Sequence, residues 1–386
     1  MGHSIKIARL FGVDVGVHWS WTFIFFIITY SFAEGVLKHF YPGWPDAERW
    51  AAGAVVSIVF FLSVLAHELS HALLSNRNGL PVNSITLFVF GGVANLSREP
   101  DRPGLEFQIA IVGPLTSLAL GALFAAGWAL LMPFSDGLAG ISANLALINV
   151  SLALFNMLPG FPLDGGRVFR SILWANNHDR LKATRWASKV GEWIAYGVMA
   201  IGVVELVFQN FAGLWLLLIG FFLRNASTAS YEQLLIETTL SGIRVRDVMR
   251  REFPRVPPDT TLEQLVHEGV LREHARAFAV IAAGDFAGLI TLTDVRHVPS
   301  AEWGQTSVYR AMTPLTRLHT VAPSDSLTDV LRLMSAHDVN QLPVVEGREL
   351  VGMLDRGDVM RFIQVRRDLG GKATRPDEQA GVAAGR

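Results

Sequence analysis

Apolar positions fall into two regimes along this chain. Up to about residue 225 they form long runs, at 17–37, 51–74, 107–132, 138–158, 190–208 and 212–223. A helix needs about 20 apolar residues to cross the hydrocarbon core. The last run is shorter and its start falls somewhere in 204–211, so six membrane helices are expected. Beyond residue 225 the apolar residues come in short alternating groups among charges, the pattern of a folded soluble part. The fold class is therefore a multi-span α-helical membrane protein with a soluble α/β part. The boundaries read as a transmembrane domain at 1–225, a linker at 226–240 and the soluble part at 241–366. The stretch 367–386, rich in Gly, Ala and charge, is expected to be disordered. The first run is too long for the apolar core of a cleavable signal peptide and is expected to be retained as an anchor.

Charge orients these spans. Arg77, Arg98 and Arg102 follow the second run, and Arg167, Arg170, Arg180, Lys182, Arg185 and Lys189 fill the segment between the fourth and fifth. Basic connections stay cytoplasmic, which places both segments there together with Lys6 and Arg9. The first outer loop does carry Lys38 and Arg49, but the other outer connections carry no basic residue. Six spans return the C-terminal part to the cytoplasm. The expectation is a multi-pass protein of the cell (inner) membrane with its N-terminus and soluble part cytoplasmic. With 33 basic and 34 acidic residues, no electrostatic attraction to nucleic acid is expected. The chain has no cysteine, so any metal site must be built from His, Asp, Glu or water.

The second run reads "FFLSVLAHELSHALLSNRNG" and holds the candidate chemistry. His67 and His71 are four apart, so on a helix they share a face and both imidazoles can reach one ion. Glu68 lies beside them, where a base for a coordinated water belongs. An ionisable group at mid-membrane costs around 3 kcal/mol, and three within five residues need compensation that a divalent cation supplies. A catalytic zinc takes three protein ligands and leaves one position open. The candidate third ligand is Asp164 in "FNMLPGFPLDGGRVF", where Pro159 and Pro162 exclude a regular helix; taken alone, this stretch also reads as an ordinary turn at the end of a span. Upstream, Ser142, Asn149 and Asn156 recur every seven residues and should face the bundle interior. They suit either helix-to-helix hydrogen bonding or, for Asn156, a place at the site. "ITLFVFGGVANL", with Gly91 and Gly92 in its middle, has the composition of a hairpin. Its edge could pair with an extended substrate.

Together these residues resemble the site-2 protease family of intramembrane zinc metalloproteases. That family pairs HExxH on one span with N-x-x-P-x-P-x-x-D-G on a later one. Here His67, Glu68, His71, Asn156, Pro159, Pro162, Asp164 and Gly165 match, with Pro162 one place late. The resemblance extends to "FGVDVGVHWSW", "LFVFGGVANL" and "VGPLTSLALG". It implies that His67, His71 and Asp164 hold one catalytic Zn2+, that Glu68 is the general base, and that the substrates are single-span membrane proteins. Asn156 is the candidate for a second catalytic role, and Gly91 and Gly92 for substrate binding.

From Ser241 onward the chain repeats itself with a period of about sixty residues, suited to two small α/β modules. The copies lie at about 241–300 and 307–366 and resemble a tandem pair of CBS modules. The resemblance implies clefts for AMP, ADP or ATP, or a surface for homodimerisation. In such modules a hydroxyl residue and an Asp three places later meet phosphate and ribose, which assigns Thr291 and Asp294 in the first copy. Asp358 is the second copy's counterpart, but Asp355 stands where the hydroxyl would, and a carboxylate there repels phosphate. The rival to a protease is a CBS-regulated transporter or channel that uses the same intramembrane ionisable residues as an ion pathway.

Overall fold

The computed structural model describes residues 4–96, 99–273, 275–347 and 349–368. The tail expected at 367–386 lies almost wholly outside them. The chain divides into two compact units, Met1–Leu234 and Leu235–Arg386.

The first unit opens on two strands, β1 (Ile5–Leu10) and β2 (Val13–Val17), where the hydropathy pattern gave no element before residue 17. Six helices long and apolar enough to cross a membrane follow: α1 (Ser20–Phe40), α2 (Asp46–Arg77), α3 (Pro103–Leu131), α4 (Asp136–Asn156), α6 (Arg180–Val207) and α7 (Ala212–Leu240). The expected six spans are present, but several are longer than their apolar runs. The largest extension is α7, which continues as one helix through the segment expected to be a linker. A further helix, α5 (Asp164–Asn177), lies between α4 and α6 and is not a candidate span.

Between α2 and α3 the chain forms β3 (Val82–Phe88) and β4 (Gly91–Leu96). The four strands make one sheet in the order β1-β2-β3-β4, with β2 parallel to β3 and the other pairs antiparallel. Val13, Val82 and Ile85 pack under it against Ala72 of α2. The sheet is thereby fastened to the turn of α2 that carries His71. Among the described residues no strand pairs with the outer edge of β4.

The second unit contains two modules. The first is built on β5 (Arg255–Val256), β6 (Ala277–Ala282), β7 (Asp285–Thr291) and β8 (Thr313–Pro314), and the second on β9 (Gln341–Glu346) and β10 (Glu349–Asp355). Each copy lends its opening segment to the other. β8 belongs to the second copy yet pairs with β7, while Arg250 of the first copy bridges Met353 of β10. Leu240 and Val245 are accordingly buried in the core of the second module.

Candidate metal centre

The site is assembled from two helices and a tight loop. On α2 the rings of His67 and His71 face the same side with centroids 4.9 Å apart. The loop 157–163 cannot continue α4 through Pro159 and Pro162; its own bonds fold it back, Gly160 N donating to Leu158 O (2.8 Å) and Phe161 N to Ala187 O of α6 (3.2 Å). The chain re-enters a helix at Asp164, the first residue of α5, where a carboxylate is favoured by the helix dipole. That folding brings Asp164 to two histidines that lie 97 and 93 positions earlier in the chain. Asp164 Oδ2 lies 3.0 Å from His67 Nε2 and 3.2 Å from His71 Nε2, and the two Nε2 atoms are 3.2 Å apart.

The far side of each ring decides what this triangle is. His71 Nδ1 donates to Ile109 O at 2.6 Å; a carbonyl only accepts, so in the neutral ring the proton is on Nδ1 and Nε2 presents a lone pair. His67 Nδ1 is held by Ser117 Oγ at 2.9 Å. With that ring neutral, lone pairs of His71 and Asp164 face each other in a buried site. A cation placed between them satisfies both. Ligand atoms about 2.0–2.1 Å from a tetrahedral zinc lie roughly 3.3 Å apart, close to the spacing found here. The outer hydrogen bonds on both rings are of the kind that orient metal-ligating histidines. His67, His71 and Asp164 form the cluster of metal-capable groups found among the described residues, and they fit zinc.

Two glycines make room for this chemistry. A methyl group placed on Gly113 of α3 would lie 2.7 Å from His67 Nε2 and closer still to His71 Nε2. One placed on Gly92 of β4 would lie 2.9 Å from Glu68 Cδ and closer to Cγ. β4 thus passes directly over Glu68, whose carboxylate makes no hydrogen bond or ion pair among the described residues. Gly91, at φ +128°, has a backbone that disfavours any other residue. A cavity of about 510 Å3 opens here, lined by the triad, Glu68, Asn156, Gly91 and Gly92, with mostly apolar walls. On one side Phe90, from the turn between β3 and β4, stacks on Phe222 of α7 at 4.2 Å between centroids.

Of the polar stripe on α4, Ser142 bonds across to Phe124 O of α3 (3.1 Å), whereas Asn149 and Asn156 donate to carbonyls of their own helix, Leu145 O and Leu152 O. Asn156 faces the cavity. In the second unit Thr291 and Asp294 are bonded to each other, Oγ1 to Oδ2 at 2.7 Å, in a capping box that opens a short helix. Asp358 pairs with Arg250 at 2.5 Å, and this carboxylate pushes the Arg250 guanidinium above its ordinary range. Asp355 accepts from Gln341 (3.1 Å) and from Gly357 N (2.7 Å).

Hydropathy and motif spacing missed one further pair. Glu106, at the start of α3, is fully buried, and Arg170 of α5 is 4% exposed. Arg170 Nε donates to Glu106 Oε1 at 2.7 Å, its Nη2 bonds the same oxygen, and the guanidinium lies 5.0 Å from the Phe161 ring. Arg170 was counted among the loop cations, but it is an internal clamp. It joins the helix carrying Asp164 to the helix whose Ile109 carbonyl holds His71. Removing one partner of a buried pair strands the other and costs about 3–5 kcal/mol, whereas replacing both by apolar residues is often neutral. Glu106→Gln is therefore expected to lower the thermal midpoint more than the double change Glu106→Met with Arg170→Met. A larger loss in the double variant would contradict the clamp.

Comparison with known proteins adds the following. The model of peptidase family M50 matches residues 55–141 and 134–198, and the CBS domain model matches 245–301 and 308–365. "Putative zinc metalloprotease Rip3" of Mycobacterium tuberculosis is 35% identical over 95% of this chain and 94% of that protein. "Zinc metalloprotease MJ0392" of Methanocaldococcus jannaschii is 26% identical over 95% of this chain and 97% of that one. Among solved structures, "Site-2 Protease from Methanocaldococcus jannaschii" is 27% identical, covering 59% of this chain and 95% of its own, with a TM-score of 0.43.

Proposed function

This chain belongs to peptidase family M50, the site-2 proteases, as a zinc metalloprotease with a tandem CBS pair, and from that premise we propose that it is an endopeptidase that cuts the transmembrane segments of single-span membrane proteins, with His67, His71 and Asp164 as its metal ligands. The observation that carries this reading is the buried triangle of His67, His71 and Asp164 ligand atoms with the Glu68 carboxylate beside it, set among helices of spanning length. Bound zinc supplies Lewis acidity and brings the pKa of a coordinated water to about 7. Glu68 takes a proton from the attacking water and delivers it to the leaving nitrogen. The apolar walls keep bulk water away from these groups and strengthen the fields acting on the reacting carbonyl. Asn156 faces the same space and is placed to hold the substrate backbone, once its amide turns from the Leu152 carbonyl.

A peptide bond within a helix is shielded by its own hydrogen bonds, so the substrate must unwind before it is cut. The edge of β4, without a partner strand among the described residues and running over Glu68 at Gly92, supports strand addition as the means: an extended segment pairs there with its carbonyl beside the base. On this reading N-methylation at alternate backbone positions of a substrate peptide reduces cleavage on one parity only; equal tolerance of both parities contradicts it. The endopeptidase itself is tested with purified protein and a panel of single-span substrates. Products are expected to map within the apolar span, and cuts confined to soluble flanks would overturn the reading. The rival of an ion pathway finds no support in the family relationship.

The basic connections support the expected orientation, with the CBS pair on the cytoplasmic side of the cell membrane. For that pair we propose adenine-nucleotide binding at the first copy through Thr291 and Asp294, with dimerisation as its other role. The carboxylates of Asp355 and Asp358, already engaged with Gln341 and Arg250, weigh against phosphate in the second copy. Calorimetric titration of the full chain with AMP and ATP is expected to give one site per chain, lost in Asp294→Ala. Absence of heat at millimolar ligand would leave dimerisation alone.

A further inference from the structure

Arg167 stands apart from Arg170 and Arg180, the two arginines that follow it. Arg170 is paired with Glu106 and Arg180 with Glu99, but no hydrogen bond or ion pair holds Arg167 among the described residues. It lies three positions after Asp164 on α5, hence on the same face, and lines the same cavity as the triad and Glu68. Among the described residues it is the one Lys or Arg in that lining. Arg167 is half-buried and its charge reaches Glu68 across the cavity, yet no bond among the described residues takes its donors, all five of which can serve a further anion.

The reaction makes such a group. When a peptide bond is hydrolysed, the water's oxygen joins the carbonyl carbon, the C–N bond breaks, and both water protons end on the nitrogen as ammonium. A neutral bond thus becomes a carboxylate on the N-terminal fragment and a cation on the other. The new carboxylate appears next to Asp164 and Glu68, two groups that repel it. We propose that Arg167 is the anion-binding residue of the cavity and holds the carboxylate of the N-terminal product, its planar fork matching the two oxygens. The cation then compensates charge at the step where the apolar site most needs it, and it gives the product a defined exit sequence: the amine fragment leaves first.

This inference rests on the endopeptidase reading, but its test does not depend on turnover. Full-length protein in detergent is freed of metal, so that no other cation can hold a carboxylate. Binding of the labelled tetrapeptide Ala-Leu-Ala-Leu is then compared between its free acid and its C-terminal amide. Wild type is expected to bind the acid about tenfold more tightly, the discrimination given by a charge-assisted hydrogen-bonded pair. Arg167→Gln is expected to bind both alike, and Arg167→Lys, which keeps the charge but not the fork, to recover part of the difference. Unchanged thermal midpoint and zinc uptake in both variants exclude misfolding as the cause. A wild type without preference for the acid, or a preference that survives Arg167→Gln, would overturn the assignment. Failure of the endopeptidase reading is a separate result: zinc-loaded wild type that cuts no single-span substrate.

Discussion

Glu68→Gln is expected to keep its zinc and lose cleavage by about 100- to 10,000-fold, the range general-base catalysis contributes. The substitution preserves volume under β4, where the close approach of Gly92 leaves little tolerance for a change of shape. It does not touch the triad, because Glu68 is not among the groups converging on the metal position. What it removes is the ability to accept a proton from water. Metal content and cleavage rate measured on the same preparation separate these effects. Retained activity within tenfold of wild type would mean that another group takes the proton; loss of zinc would mean that Glu68 is a ligand.

Gly113→Ala is expected to weaken zinc binding at least about 100-fold without unfolding the protein. The added methyl would fall 2.7 Å from His67 Nε2 and nearer to His71 Nε2, inside the van der Waals limit of both. The rings can retreat only by breaking the outer bonds that orient them, His71 to Ile109 O and His67 with Ser117 Oγ. Changes that merely disturb the outer hydrogen bonds of a metal ligand cost 10- to 100-fold in affinity, so displacing two ligands is expected to cost at least about 100-fold. Alanine at mid-helix is otherwise favoured over glycine by about 1 kcal/mol. Loss of metal from a chain that still unfolds cooperatively in the metal-free state is the expected signature. Zinc bound at wild-type affinity would show that the metal lies elsewhere.

The two motifs of the site were legible because each obeys a local rule. The spacing of His67 and His71 needs only a helix to bring them onto one face, and the prolines before Asp164 announce a break at the end of a span. The six spans were legible for the same reason, as length and hydropathy alone define them. Their ends were less so. α7 runs on to Leu240 through polar residues that carry no hydropathy signal but continue the helix, and β1 and β2 precede α1 where the apolar pattern is too short to predict an element. The clamp of Glu106 and Arg170 was hidden because each residue has an ordinary local explanation, a carboxylate at a helix start and a cation in a basic connection. Only tertiary packing pairs residues 64 positions apart. Gly113 and Ser117 sat in view within "VGPLTSLALG", yet nothing local says that a glycine faces two imidazoles. Thr291 and Asp294 show the converse: the pattern was visible, and the structure gives it a helix-capping role beside any ligand role.

The central claim is that three residues from α2 and α5 hold one catalytic zinc. X-ray absorption and metal analysis of the purified full-length protein test it most directly, with Asp164→Ala alongside. The account requires one zinc per chain bound by two imidazole nitrogens and at least one oxygen at about 2.0–2.1 Å, with occupancy lost or the oxygen shell altered in the variant. Well-folded wild type that takes up no zinc, or a metal shell unchanged by Asp164→Ala, would contradict it.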